Sequence, residues 1–313
     1  MPHPFRFGIA YSGEDTASRA SLVTLAQKIE SLGYSSIQVP DHYINEAFPI
    51  AAMMAIADAA PTLRVGTYVF NNDFRHPALL AKEMAALDLY TDGRLELGIG
   101  AGWNEPEYTM INLPFDPPAV RVRRLAESVQ IIKAFFTQDV VNFIGEFYTV
   151  RDLPATPRSV QQPHPPIFIG GGGRQVLRLA ATQADIVGIH LKVGEGSQAS
   201  VDNRLASAYE QKIGWVREAA GDRFSQLELN ILVSVTITDN PHQAAEELMQ
   251  SRGWNDLTVD DVLAMPNIII GDIPTIISTL QSRRDQYGLS YITLMGRELA
   301  EPFAPVVAAL SGK

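Results

Sequence analysis

The sequence predicts an α/β fold, a (β/α)8 TIM barrel with loop insertions, on three observations. Short, continuously apolar runs alternate with segments of helical period almost from end to end. The apolar runs number eight, as many as a closed barrel needs. The turn after the first run, Tyr11-Ser12-Gly13-Glu14-Asp15, has no G-x-G-x-x-G, the signature of an open dinucleotide-binding sheet. Strands apolar on both faces and separated by helices mean a parallel sheet covered by those helices. At 313 residues the chain suits one barrel domain spanning 1–313. A chain of that size buries roughly 75% of its unfolded surface and needs no staples.

In chain order, the first strand is expected at 5–10 and the second at 36–39, where Pro40 stops it. The third follows at 63–70, the fourth at 95–100, and the fifth at 167–170, running into four glycines. The sixth (186–190), seventh (227–238) and eighth (291–295) complete the set. Helical period places helices at 20–32, 50–59, 78–89, 120–136, 176–181, 205–220, 243–249 and 273–287. His76-Pro77 reads as a helix entry with proline at the first helical position. Two stretches interrupt the alternation: the loop 101–118, and 138–166, a hairpin around Ile144-Gly145-Glu146 followed by a proline-rich connector. These and the loop 191–204 are expected as insertions on one domain, since barrel units resume at once.

Composition removes several functions. With no cysteine there is no disulfide framework, thiolate metal site or cysteine nucleophile. A net charge of −10 argues against a nucleic-acid or membrane-surface partner. No apolar run approaches the ~18 residues of a membrane span, and MPHPFRFGIA lacks a signal peptide's layout, so a cytoplasmic protein is expected.

Barrel enzymes build their sites at strand exits. Here the exits read Asp41-His42-Tyr43, Asn71-Asn72-Asp73, Ala101-Gly102-Trp103-Asn104-Glu105, Gly170-Gly171-Gly172-Gly173-Arg174-Gln175, His190 with Lys192, and Gly296-Arg297-Glu298. The four glycines allow close backbone approach and positive φ. They precede a helix, whose free N–H groups with Arg174 and Gln175 would make an anion-binding nest; the plain alternative is a flexible turn. It is no P-loop, because no G-K-[ST] follows. Asp41-His42 is open between a helix cap with a passing histidine and an active-site corner, where an imidazole titrating near neutrality exchanges a proton. The other histidines, 3, 76, 164, 190 and 242, show no metal-ligand spacing, so no metal is expected. Trp103, between small residues and a polar string, suits either the core or stacking on a flat ring.

Three segments taken together, VPDHY, VGTYVFNNDFRHPALLAKEMAALDLYTDGRLELGIGAGWNEPEY and HPPIFIGGGGRQVLRLAATQAD, resemble the bacterial luciferase-like family of flavin and deazaflavin oxidoreductases. The Asp-His pair looks like the branch that uses coenzyme F420; FMN users carry similar versions of the other strings. The resemblance implies hydride transfer between F420 and an unidentified small organic substrate. The alternatives it leaves are an FMN-dependent monooxygenase fed by a separate cofactor reductase, and a non-catalytic flavin-binding protein. It implies a non-proline cis peptide at Tyr68-Val69 or Val69-Phe70, within a bulge of Tyr68, Val69, Phe70 and Asn71 behind the cofactor ring. Ala101 and Gly102 would line the ring's edge, with Asp41 on its polar side. The cofactor phosphate would lie on Gly171, Gly172 and Gly173 with Arg174 and Gln175. His42, with Asp41, would be catalytic. Trp103, Asn104, His190, Lys192 and Arg297 would meet substrate or the cofactor's acidic tail. A homodimer is implied as well. The substrate itself is set by the loops 44–48, 103–116 and 191–204, which match no motif.

Overall fold

In the computed structural model, which describes residues 3–11, 18–43, 48–192 and 200–313, twelve strands are found. They are β1 (Arg6–Ala10), β2 (Ser36–Val39), β3 (Arg64–Thr67), β4 (Phe70–Asn71), β5 (Leu95–Gly100), β6 (Val140–Ile144), β7 (Thr149–Pro154), β8 (Ile167–Gly171), β9 (Ile186–Ile189), β10 (Glu228–Ile237), β11 (Ile268–Gly271) and β12 (Leu289–Met295). β1 pairs in parallel with β2, and the ring continues through β3, β5, β8, β9, β10 and β12 back to β1. This is the closed eight-stranded barrel. The expected third strand is broken: β3 ends at Thr67, and β4 resumes beside β5 after a gap of two residues.

Helices α1 (Arg19–Ser31), α2 (Pro49–Ala59), α3 (Pro77–Tyr90), α4 (Glu105–Met110), α5 (Pro118–Thr137), α6 (Arg174–Gln183), α7 (Ala206–Ala220), α8 (Pro241–Arg252), α9 (Val259–Ala264), α10 (Ile273–Tyr287) and α11 (Ala300–Leu310) complete the elements. Pro77 does open α3, and the His76 ring caps it by accepting from the Ala78 N–H at 3.2 Å. The hairpin β6–β7 forms where expected, with Ile144 opposite Thr149. The Glu127 carboxylate of α5 locks its turn by accepting the N–H groups of Glu146, Phe147 and Tyr148 at 2.6, 3.0 and 3.2 Å.

Side chains alternate along a strand, so every second residue faces the barrel axis. At the floor, Arg6 bonds Glu96 at 2.5 Å and Glu228 at 2.5 and 2.6 Å, while Arg64 bonds Glu96 at 2.8 Å. Burial alone would raise the Glu96 carboxyl, but the two guanidinium groups outweigh it and hold it low. One layer up, glycine makes room: a Cβ at Gly8 would come 2.5 Å from Ser36 Oγ and 3.2 Å from the Tyr291 ring. Tyr291 occupies the space beside it, its hydroxyl 2.6 Å from Ser36. Above it, Tyr68 donates to Asn230 Oδ1 at 2.9 Å, Asn230 Nδ2 donates to Thr293 at 2.8 Å, and Thr293 donates to Gln38 at 2.9 Å. Tyr68, Asn230, Thr293 and Gln38 thereby satisfy one another in a buried relay.

The structure adds a unit that the sequence reading passed over. β10 outruns the barrel, and its last residues, Ser234 to Ile237, pair with β11. Together with α8 and α9 this extension has its own small core of Ala245, Val262, Met265, Ile268 and Ile270. Val201, within the loop 191–204, and Leu205, just after it, pack against it. Of the loops expected to set the substrate, 44–47 and 193–199 lie outside the described residues, as does 12–17 of the first turn.

Candidate active site

The exits of β2, β4, β5, β8 and β9 converge on one end of the barrel, as parallel strands must. Asp41 is 4% exposed, and its oxygens are already engaged. Arg75 grips the carboxylate from two sides, at 2.6 and 2.9 Å, and the Asn71 N–H donates to it at 2.9 Å. Arg75 in turn lies over the Phe70 and Phe48 rings. Asp41 therefore ties the β2 exit to the restart of the third strand, and neither of its oxygens is left for a helix cap.

The break in that strand contains a cis peptide between Tyr68 and Val69, one of the two positions expected. The side chain of Phe70, expected on the cofactor side, is fully buried in the main core. Asn71 is pinned by the Tyr108 hydroxyl, which donates at 3.0 Å. Gly102 has φ +75, and a Cβ there would overlap the same hydroxyl, which explains why the loop needs glycine at this point. Arg121 reaches under the loop to donate to the carbonyls of Gly102 and Asp116.

His42 points its Nδ1 at Glu107, 2.9 and 3.0 Å from the two carboxylate oxygens. An ionised carboxylate only accepts, so Nδ1 carries the hydrogen and Nε2 is the ring's exchangeable nitrogen. Glu107 is almost fully buried and also accepts the Tyr43 N–H at 3.1 Å. It orients the imidazole from behind. The Trp103 ring, 46% exposed, meets the His42 ring edge to face at 5.7 Å. Asn104 begins α4 without a side-chain cap. Glu107, Arg75 and Tyr108 were not singled out from sequence. The spacing of Glu105 and Glu107 in a short helix after Gly-Ala-Gly-Trp was the available signal.

The glycine run departs from expectation in its reason. None of Gly170 to Gly173 has a positive φ. Glycine is needed for close packing: a Cβ at Gly171 would lie 2.3 Å from Val176, and one at Gly172 would lie 2.4 Å from the Leu191 carbonyl. Gly173 faces open space and heads α6, whose first N–H groups have no side-chain cap and no acidic neighbour in the first turn. That donor set suits an anionic group. Arg174 lies 3.5 Å from Glu218, both more than half exposed, and Gln175 and Lys192 are exposed. Arg297 is half-buried in the turn after β12.

His190 stacks on the Tyr68 ring at 4.9 Å, and its Nε2 is buried without a partner. Burial, then the nearby Lys212 ammonium, push its imidazole down to about 4. Lys212, itself lowered to about 8 mainly by burial, donates to the carbonyls of His190 and Asn203 at 3.0 and 3.1 Å. An unfolded histidine titrates near ~6.5, so below that pH the unfolded chain takes up a proton that the folded one refuses. Stability due to neutral His190 is therefore complete above about 6.5 and is lost as pH falls toward about 4. His190→Asn should flatten that part of the pH–stability curve in chemical denaturation; equal slopes for both proteins would refute the point.

The barrel and its mouth define the class, an enzyme whose site is assembled from strand exits. The family model described as luciferase-like monooxygenase matches residues 3–310, and the chain belongs to that family. It is 28% identical over 262 residues to an F420-dependent glucose-6-phosphate dehydrogenase of Amycolatopsis mediterranei, covering 81% of this chain and 75% of that protein. It is 30% identical over 264 residues to the protein of that name from Kineococcus radiotolerans, covering 82% and 74%. Over 132 residues, 42% of this chain and 36% of the other, it is 36% identical to an FMNH(2)-dependent dimethylsulfone monooxygenase of Pseudomonas putida. Among solved structures, the coenzyme F420-dependent tetrahydromethanopterin reductase of Methanopyrus kandleri has the same fold. The TM-score is 0.76 at 18% identity, with 98% and 99% of the two chains covered.

Proposed function

We propose that this chain is an F420-dependent oxidoreductase that passes a hydride between the deazaflavin and a small organic substrate, with His42 as the group that exchanges the proton. The observation that carries this is the His42–Glu107 pair at the β2 exit, with Nδ1 held and Nε2 left for proton exchange. The relatives that match most of the chain's length are named for F420, which supports the cofactor. The donor set fits such a group. Gly173 and the uncapped start of α6 would take its phosphate, and Gly171 and Gly172 give close backbone. Tyr68, Val69 and Asn71 would stand behind its ring, with Ala101 and Gly102 at the edge. Bound F420 supplies hydride chemistry limited to two-electron steps.

The chain's own part is positional and protonic. Glu107 keeps the His42 tautomer, so that Nε2 takes the hydroxyl proton of an alcohol or returns one to a carbonyl oxygen. Asp41 acts through position, holding the broken strand by way of Arg75 and Asn71. Trp103 shields the His42 ring on one side.

The second reading, an FMN-dependent monooxygenase, draws on the 36% identity to the dimethylsulfone enzyme. It would call for a separate reductase. Titration of the purified chain with F420 and with FMN, followed by quenching of cofactor fluorescence, separates the two. F420 should bind at least tenfold more tightly; tighter FMN binding would replace the first reading with the second. A cytoplasmic homodimer belongs to the same proposal, and sedimentation tests the dimer.

A further inference from the structure

Resting on the reading of this mouth as the active site, we propose that its substrate half takes an uncharged, largely apolar alcohol or carbonyl compound. The alternation of each strand decides which residues face that half. On β12, Tyr291 and Thr293 point to the barrel axis, since they meet Ser36 and Gln38 there. Met295 has the same parity and is 53% exposed at the exit. On β10, Asn230 points inward to Tyr68, so Leu232 does too, and it is half-buried. On β1, Arg6 is inward, so Ala10, paired with Met295, is as well. Trp103 packs edge to face on His42 at the mouth. Away from the glycine cradle, the described wall thus includes Ala10, Leu232, Met295 and Trp103, with Ser234 as a small polar residue of the same parity further along β10. Apolar groups directed to the mouth that holds one proton-exchanging imidazole suit an apolar substrate with one polar oxygen.

Most of the charges near the mouth are already committed. Arg75 is held by Asp41, and Arg124 by Asp73 at 3.0 Å and by Asp116. Arg121 and Lys212 are spent on backbone carbonyls. Lys192 sits on the cradle side, its backbone against Gly172, and Arg297 is already engaged with its surroundings. A phosphorylated or carboxylated substrate needs paired cations, and among the described residues the apolar half has no such cluster. The residue set thus differs in kind from what a sugar phosphate would need.

Calorimetric titration of the cofactor-free protein with 2-butanol, 2-hexanol and 2-octanol tests this, with glucose 6-phosphate as counter-probe. Each added methylene should tighten binding about fourfold. Met295→Lys should weaken 2-octanol at least tenfold and flatten the series while the thermal midpoint stays put. A flat series in the unmodified protein, or glucose 6-phosphate binding more tightly than 2-octanol, would overturn the proposal. Titrating F420 into the same sample keeps the two readings apart. A steep series without F420 binding upholds the substrate class and removes the coenzyme, and the reverse pattern does the opposite.

Discussion

His42→Ala should lower turnover by roughly 10²–10⁴-fold, the range by which a positioned general acid–base acts, while F420 binds within about threefold of the unmodified protein. The expectation follows from geometry. His42 is 28% exposed at the mouth, whereas the groups that would bind the cofactor lie on other strands. Glu107→Gln is the informative companion. An amide can turn its oxygen to the Nδ1–H, so orientation is partly kept, but the charge behind the ring is lost. The pH dependence of turnover should therefore move in Glu107→Gln, while the rate falls less than in His42→Ala. A His42→Ala enzyme with full turnover would remove His42 from the mechanism. An unmoved pH profile in Glu107→Gln would reduce Glu107 to packing.

Arg75→Ala should cost about 3–5 kcal/mol of stability, since it strands a buried carboxylate that had two guanidinium bonds. Arg75 is 9% exposed at the side chain and Asp41 2%, so water cannot replace the lost partner. The loss should be smaller in the double variant Arg75→Ala, Asp41→Asn, because the unpaired charge has gone with its partner. Urea denaturation of the three proteins measures both figures. A single variant within about 1 kcal/mol of the unmodified protein would show that the pair is neither buried nor strained in solution.

How much of this was legible beforehand depends on the reach of each signal. All eight barrel strands were readable because each is a short apolar run bounded by polar or glycine residues, and local patterning is enough to see that. The hairpin at Gly145 and the helix entry at Pro77 were legible for the same local reason. β11 was not, since Ile268-Ile269-Ile270-Gly271 pairs, among the described residues, with the overrun of β10, a long-range partner that no window reveals. At the site, Asp41 and His42 were visible as a dipeptide, but their partners lie 34 and 65 residues away. Adjacent in sequence, they turned out to have separate employers: Arg75 for one, Glu107 for the other. Of the two properties read into the glycine run, positive φ is absent, and the crowding from Leu191 and Val176 that calls for glycine cannot be seen along the chain.

The glycine-poor and glycine-rich walls of the barrel interior carry one more consequence. Gly8, Gly66 and Gly98 face the axis from β1, β3 and β5, while the bulk that fills the interior comes from Tyr291, Phe168 and Tyr68. How deep the mouth reaches is therefore governed by a few large side chains that flank a nearly bare wall. Shortening Tyr68 alone would lower the floor to Asn230 and Thr293, a polar step already wired for hydrogen bonds. Substrate length and the polarity met at its far end could then be retuned by single exchanges, with every barrel strand left in register.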